Sequence, residues 1–145
     1  MVWTISNLCR GKPQPNIALV RDCIPALCYV ISRANDNSFI VDATWALSYL
    51  SDGDNDRIDH VVHIIPLMIT LLESDCASNV LLPVLRTLGN IVTGNERQTQ
   101  MVIDAGILKH ASKLLHSPKV RIRRKFSEVF QFFSHMTLFV FFSEA

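Results

Sequence analysis

Apolar residues between Asn37 and Leu50 fall at three- and four-residue spacings: Phe39, Ile40, Ala43, Leu47 and Leu50. That period predicts an amphipathic helix. Gly53 follows at once and is read as its stop, as Gly11 and Gly94 are for two similar runs. Pro25 and Pro66 open the apolar runs PALCYVIS and PLMITLLES. Proline suits the first turn of a helix, where its missing N–H has no intrahelical partner. Between each Gly and each Pro lies a short segment, NIALVRDC or DRIDHVVH, with room for about two turns. Pro83 leaves two options open. It sits inside a long helix and bends it, or it starts the helix.

The pattern recurs. WTISNLCRGK (Trp3–Lys12), WALSYLSDGD (Trp45–Asp54) and RTLGNIVTGN (Arg86–Asn95) align without gaps, their first residues 42 and 41 positions apart. Each carries Gly at its ninth place. A period near 40–47 belongs to the HEAT and armadillo class of helical solenoids. Each unit reads as a short, a medium and a long helix, which is the armadillo order. The predicted division is 1–12, the last helix of one unit; 13–53 and 54–94, two full units; 95–135, a divergent unit; and 136–145, a hydrophobic tail. A chain that opens on a unit's last helix is expected to show an uncovered end face.

Composition narrows the functions. Hydrophobic residues make up 49% and charged residues 19%, too apolar for disorder. The net charge is +1, so no global field selects nucleic acid as a partner. Cys9, Cys23, Cys28 and Cys76 show neither C-x-x-C nor zinc spacing and read as free thiols. His60 and His63, with Asp56 and Asp59 nearby, read as a solvated helix surface rather than a metal site. No phosphate loop or nucleophile motif is present, so neither an enzyme nor a cofactor is expected. No signal peptide opens the chain, and no run of about 18 apolar residues predicts a membrane span. Seven of the eight Phe lie between Phe126 and Phe142, and the stretch LFVFF (Leu138–Phe142) has the composition of an aggregation-prone segment.

The repeated positions carry the candidate chemistry. Trp3 and Asn7, Trp45 and Tyr49, and Arg86 and Asn90 are each four apart and share a helix face. Stacked units turn them into two rows: Trp3, Trp45, Arg86 beside Asn7, Tyr49, Asn90. Asn amides can pair both N–H and C=O of an extended peptide without reading its sequence. Indole faces beside them form slots for Lys and Arg, whose methylenes lie on the ring while the charge meets its quadrupole. An open face at Asn90 implies that Asn90→Ala leaves the thermal midpoint nearly unchanged.

WTISNLCRGKPQP, WALSYLSDG and LRTLGNIVTGNERQTQ, together with the chain from Trp3 to Arg124, resemble importin alpha, the adaptor family for proteins with basic nuclear localisation signals. The resemblance implies an all-α, right-handed superhelical armadillo solenoid spanning roughly the fourth to seventh repeats. It implies basic signal peptides as partners and residence in both cytoplasm and nucleus. By the same resemblance Trp3 and Asn7 match the last pair of the major signal site. Trp45 and Tyr49 match the altered pair between sites, and Arg86 and Asn90 the pair opening the minor site. Val92, Thr93, Gly94 and Thr99 match residues beside the minor-site lysine pocket, and Glu96 stands where the family usually has an acid. Arg10 and Asp42 match charged inner positions and are expected to pair with each other.

The departures are also specific. The family's importin-beta-binding arm has no counterpart here, so direct recruitment of importin beta by this chain is not expected. Where a further W-x-x-x-N helix would follow, Glu128 and Phe132 stand instead, and Lys125 replaces a minor-site Glu. Two other readings fit the pattern: a general armadillo or HEAT scaffold, and a truncated piece without function.

Overall fold

The computed structural model describes the backbone of residues 1–143 and the side chains of residues 1–136. Every regular element among them is helical. In chain order they are α1 (Val2–Arg10), α2 (Ile17–Val20), α3 (Cys23–Arg33), α4 (Asn37–Leu50), α5 (Asn55–Asp59), α6 (Ile65–Glu73), α7 (Ser78–Val92), α8 (Glu96–Asp104), α9 (Ala111–Leu115) and α10 (Val120–Ser143). Short 3-10 turns, Val62–Ile64 and Ile107–His110, lead into α6 and α9. The helices follow one another in threes, α2–α4, α5–α7 and α8–α10, with α1 packed on α4 ahead of them. The result is a partial armadillo solenoid.

The long helices form its spine. α4 packs between α1 and α7, and α7 packs between α4 and α10. Leu47, Leu50, Leu85, Leu88 and Phe126 are fully buried along this stack. Gly89 permits the close approach of α10, since a Cβ there would lie 3.0 Å from Val129 Cγ2. Pro83 is buried inside α7, which begins five residues earlier at Ser78 and not at the proline. Pro25 and Pro66 do fall in the first turns of α3 and α6.

The first helix of each unit starts on an amide or carboxylate cap. Asn16 accepts from Ala18 N–H, Asp54 from Arg57 N–H and Asn95 from Gln98 N–H, each at 3.0 Å. At Asn95 the capping box is complete, because its own N–H donates to Gln98 Oε1 at 2.9 Å. Asp54 and Asn95 are equivalent positions one period apart.

Next to these caps lies a joint between repeats. Arg57 is almost fully buried; its Nε donates to Leu50 O and its Nη1 to Pro15 O of the preceding unit, both at 2.9 Å. Its equivalent, Gln98, donates through Nε2 to Asn55 O (3.0 Å) and Asp59 Oδ1 (2.8 Å) of the unit before it. Gln98 holds the Asp59 carboxyl below the ordinary Asp range, and Arg97 adds to this. A lowered carboxylate contributes stability above its unfolded pKa and loses it as pH falls through the folded value.

This joint corrects the reading of the glycines. Neither Gly53 nor Gly94 is left-handed; among the described residues only Gly106 has positive φ, at 98°. They are required by space. A Cβ at Gly53 would overlap Arg57 Cδ, and one at Gly94 would overlap Gln98 Oε1. α10 runs through 135/136 as one helix. The side chains of LFVFF lie outside the described residues.

Gly94→Ala is expected to displace Gln98 from its cap and its joint and to cost about 1–3 kcal/mol in chemical denaturation. Gly11→Ala, whose Cβ would meet only Leu8 O at 3.5 Å, is the control. Its midpoint should move by no more than about 0.5 kcal/mol.

Candidate functional site

The third helices carry the predicted rows. Trp3 is 67% exposed on α1, and Asn7 beside it is also exposed. Asn7 Nδ2 donates to Trp3 O at 2.9 Å, which leaves its other amide proton and its Oδ1 for a ligand. Trp45 and Tyr49 on α4 are half-buried, and their rings stack with centroids 5.8 Å apart and planes at 27°. Trp3, Ser6, Asn7, Arg10, Asp42, Trp45 and Tyr49 together line a cleft of about 270 Å³ between α1 and α4.

Arg10 and Asp42 share this cleft without the expected ion pair, as none joins them among the described residues. Arg10 projects from the last turn of α1 and Asp42 from the middle of α4, so both charges remain available. The acid that does pair with an arginine of the groove is Asp52, whose Oδ2 lies 3.5 Å from Arg86 Nη2. That contact was not foreseen, although Asp52 stands in the quoted WALSYLSDG segment.

A second cleft, of about 350 Å³, follows between α1, α4 and α7. Arg10, Lys12, Gln14, Trp45, Tyr49, Asp52 and Arg86 line it, with Cys9 at its base. Burial pushes the Cys9 thiol up, Cys23 raises it further, and Arg57 offsets part of this. A thiol so held is not a nucleophile at neutral pH.

Asn90 is not an open amide. Its Nδ2 donates to Ser48 O at 3.0 Å and to Ser51 Oγ at 3.1 Å, both on the preceding unit. Ser51 Oγ itself donates to Ser48 O at 3.0 Å, so the two acceptors sit together on one side of the amide and Oδ1 takes no bond from them. Beyond it, Val92 and Thr99 are buried, and Thr99 Oγ1 donates to Val92 O and Asn95 O, each at 3.1 Å. Thr93 and Glu96 are exposed, and Gly94 lies beneath them, half-buried. On α10, Glu128 meets Lys125 at 3.0 Å and Arg124 at 3.7 Å, and Phe132 is exposed. His63 is exposed and His60 half-buried, and among the described residues no His, Cys, Asp or Glu cluster has the shape of a metal site.

A groove paved by repeated positions of stacked third helices defines the class: an armadillo-repeat protein. The Armadillo/beta-catenin-like repeat model matches residues 13–52. Among solved structures, a designed armadillo repeat protein in complex with the peptide (KR)4 aligns with 88% of this chain and 54% of its own, at a TM-score of 0.74 and 22% identity. Within that class the repeats are similar to those of importin alpha. The chain is 52% identical over 104 residues to importin subunit alpha-1a of Oryza sativa subsp. japonica, covering 70% of this chain and 19% of the relative. It is 46% identical over 115 residues to importin subunit alpha-3 of Arabidopsis thaliana, covering 78% and 21%. It therefore spans about a fifth of the length of these curated relatives.

Asn90→Ala should cost about 1–2 kcal/mol in chemical denaturation, because Ser51 Oγ loses its donor and Ser48 O is left with Ser51 Oγ alone. A change within about 0.5 kcal/mol would return Asn90 to the open face.

Proposed function

We propose that this chain is the peptide-holding part of a nuclear import adaptor, binding extended basic signal peptides along the third helices. One observation carries the reading: the cleft between Trp3 and Trp45, with Asn7 at its side and Asp42 within it. A Lys or Arg side chain fits its chemistry. The methylenes lie against indole, the charge meets Asp42, and the peptide backbone meets the free proton and Oδ1 of Asn7. The family likeness supports the same use. It also supports work in both cytoplasm and nucleus, with cargo proteins as partners and no cofactor.

The minor-site half supports the reading less. Of its residues Thr93 and Glu96 offer exposed polar groups, whereas Val92 and Thr99 lie in the wall and could take part only from below. Gly94 is spoken for by Gln98, and Asn90 turns its Nδ2 toward Ser48 and Ser51. The binding strength therefore rests on the first cleft.

Fluorescence anisotropy with a labelled peptide of consecutive lysines, against the same peptide with alanines, tests this. The expected result is micromolar or weaker binding that disappears with the alanine peptide. Trp3→Ala or Asp42→Ala should each weaken it roughly 3- to 10-fold, since about 1.4 kcal/mol is one tenfold step. Equal binding of the lysine and alanine peptides would end the proposal.

A further inference from the structure

A third cleft, of about 250 Å³, lies between the N-terminal ends of α7 and α10. Leu82, Val120 and Ile122 form its apolar part, and Ser78, Lys119 and Arg121 stand among them. It shares no lining residue with the two clefts described above. Its volume falls below the roughly 300–1,000 Å³ of small-molecule pockets and suits a single apolar side chain. Ile122 is buried, whereas Val120 is 64% exposed. The charge is one-sided, since no Asp or Glu lines the cleft. Nearby cations are engaged: Arg123 Nη1 donates to Ser117 O at 2.7 Å, and Arg124 and Lys125 meet Glu128. Lys119 and Arg121 form no ion pair among the described residues. The repeat shows what is missing. Asp36 accepts from Ser38 N–H at 2.8 Å where α4 begins. Ser78 and Val120 follow it at successive steps of 42 positions, and neither α7 nor α10 has an acid in its first turn.

We propose that this cleft is a docking site for an acidic peptide segment that carries one large apolar side chain. The apolar side chain enters against Leu82, Val120 and Ile122, and flanking carboxylates meet Lys119 and Arg121. Charge complementarity selects this occupant. A basic peptide is repelled here, in contrast to the first cleft, where Asp42 is available to a cation. A purely apolar partner would cover two cations without pairing them, which is costly. Nucleic acid supplies phosphates but no aliphatic group for the apolar part. The inference does not depend on the basic-peptide reading above, because the sites have no residue in common. They are close, however: Leu82 precedes Arg86 by four residues on α7, about 6 Å of helix. The chain can therefore hold an acidic segment while a basic one occupies the groove.

A labelled Glu-Glu-Leu-Glu-Glu peptide titrated into the whole chain tests this by fluorescence anisotropy, and methyl NMR locates it. Saturable binding is expected, with the methyl signals of Leu82, Val120 and Ile122 shifted. Binding should weaken severalfold as salt rises from about 50 to about 500 mM. Exchanging the peptide's Leu for Ser should weaken it roughly tenfold. Lys119→Gln and Arg121→Gln should each weaken it roughly 2- to 5-fold. Val120→Glu brings a carboxylate to the cleft and should weaken it roughly tenfold or more. All three positions are exposed, and circular dichroism checks that each variant is folded. The lysine peptide of the first cleft should bind these variants within about twofold of wild type. Absence of binding, or methyl shifts elsewhere, would overturn the proposal. Equal binding of the Ser peptide would also overturn it, since charge alone would then be read. So would a single-stranded oligonucleotide that displaces the peptide and shifts the same methyls, because the occupant would then be nucleic acid.

Discussion

No unit of this chain can bury its own apolar face, so the whole arrangement depends on one unit being fixed on the next. Apolar stacking of α4 on α1 and α7 supplies the bulk of the contact, but it is non-directional and tolerates sliding. Register comes from polar side chains that reach back one period. Arg57 takes Pro15 O, Gln98 takes Asn55 O and Asn90 takes Ser48 O, over sequence separations of 42, 43 and 42. These groups are buried or half-buried, so a slip would leave donors and carbonyls unpaired at a cost larger than the net worth of each bond. Gly53 and Gly94 belong to the same device, because they leave room for the side chains that do the reaching.

The groove inherits its spacing from that register. Trp3, Trp45 and Arg86 lie in a row because the third helices are held at a constant step, not because they contact one another in sequence. Residues spent on the register are lost to the ligand. Asn90 is the clearest instance: its Nδ2 is turned to Ser48 O and Ser51 Oγ of the preceding unit. Asn7, on α1, bonds only within its own helix. The two ends of the groove thus differ in what they can do, although their residue types are alike.

Charge within the groove is arranged locally, against an overall net charge of +1. Asp42 stays unpaired where a cation can enter, and Asp52 is used to hold Arg86. Both are carboxylates on or just after α4, ten residues apart. The difference lies in whether the next long helix presents an arginine to them.

Much of this was legible in the sequence. The 41–42-residue period, the three-helix order, α4 at Asn37–Leu50 and the membership of the two rows all follow from local rules. Helix periodicity is set by contacts three and four residues apart, and solenoid stacking turns a sequence period into a row. What those rules could not give was the fate of long or polar side chains whose partners lie one period away. The start of α7 ahead of Pro83, the true reason for Gly53 and Gly94, the absent Arg10–Asp42 pair, the inward bonds of Asn90 and the hold of Asp52 on Arg86 were all decided by the neighbouring unit. A side chain with several rotamers takes the one its surroundings satisfy, and those surroundings exist only once the repeats are stacked.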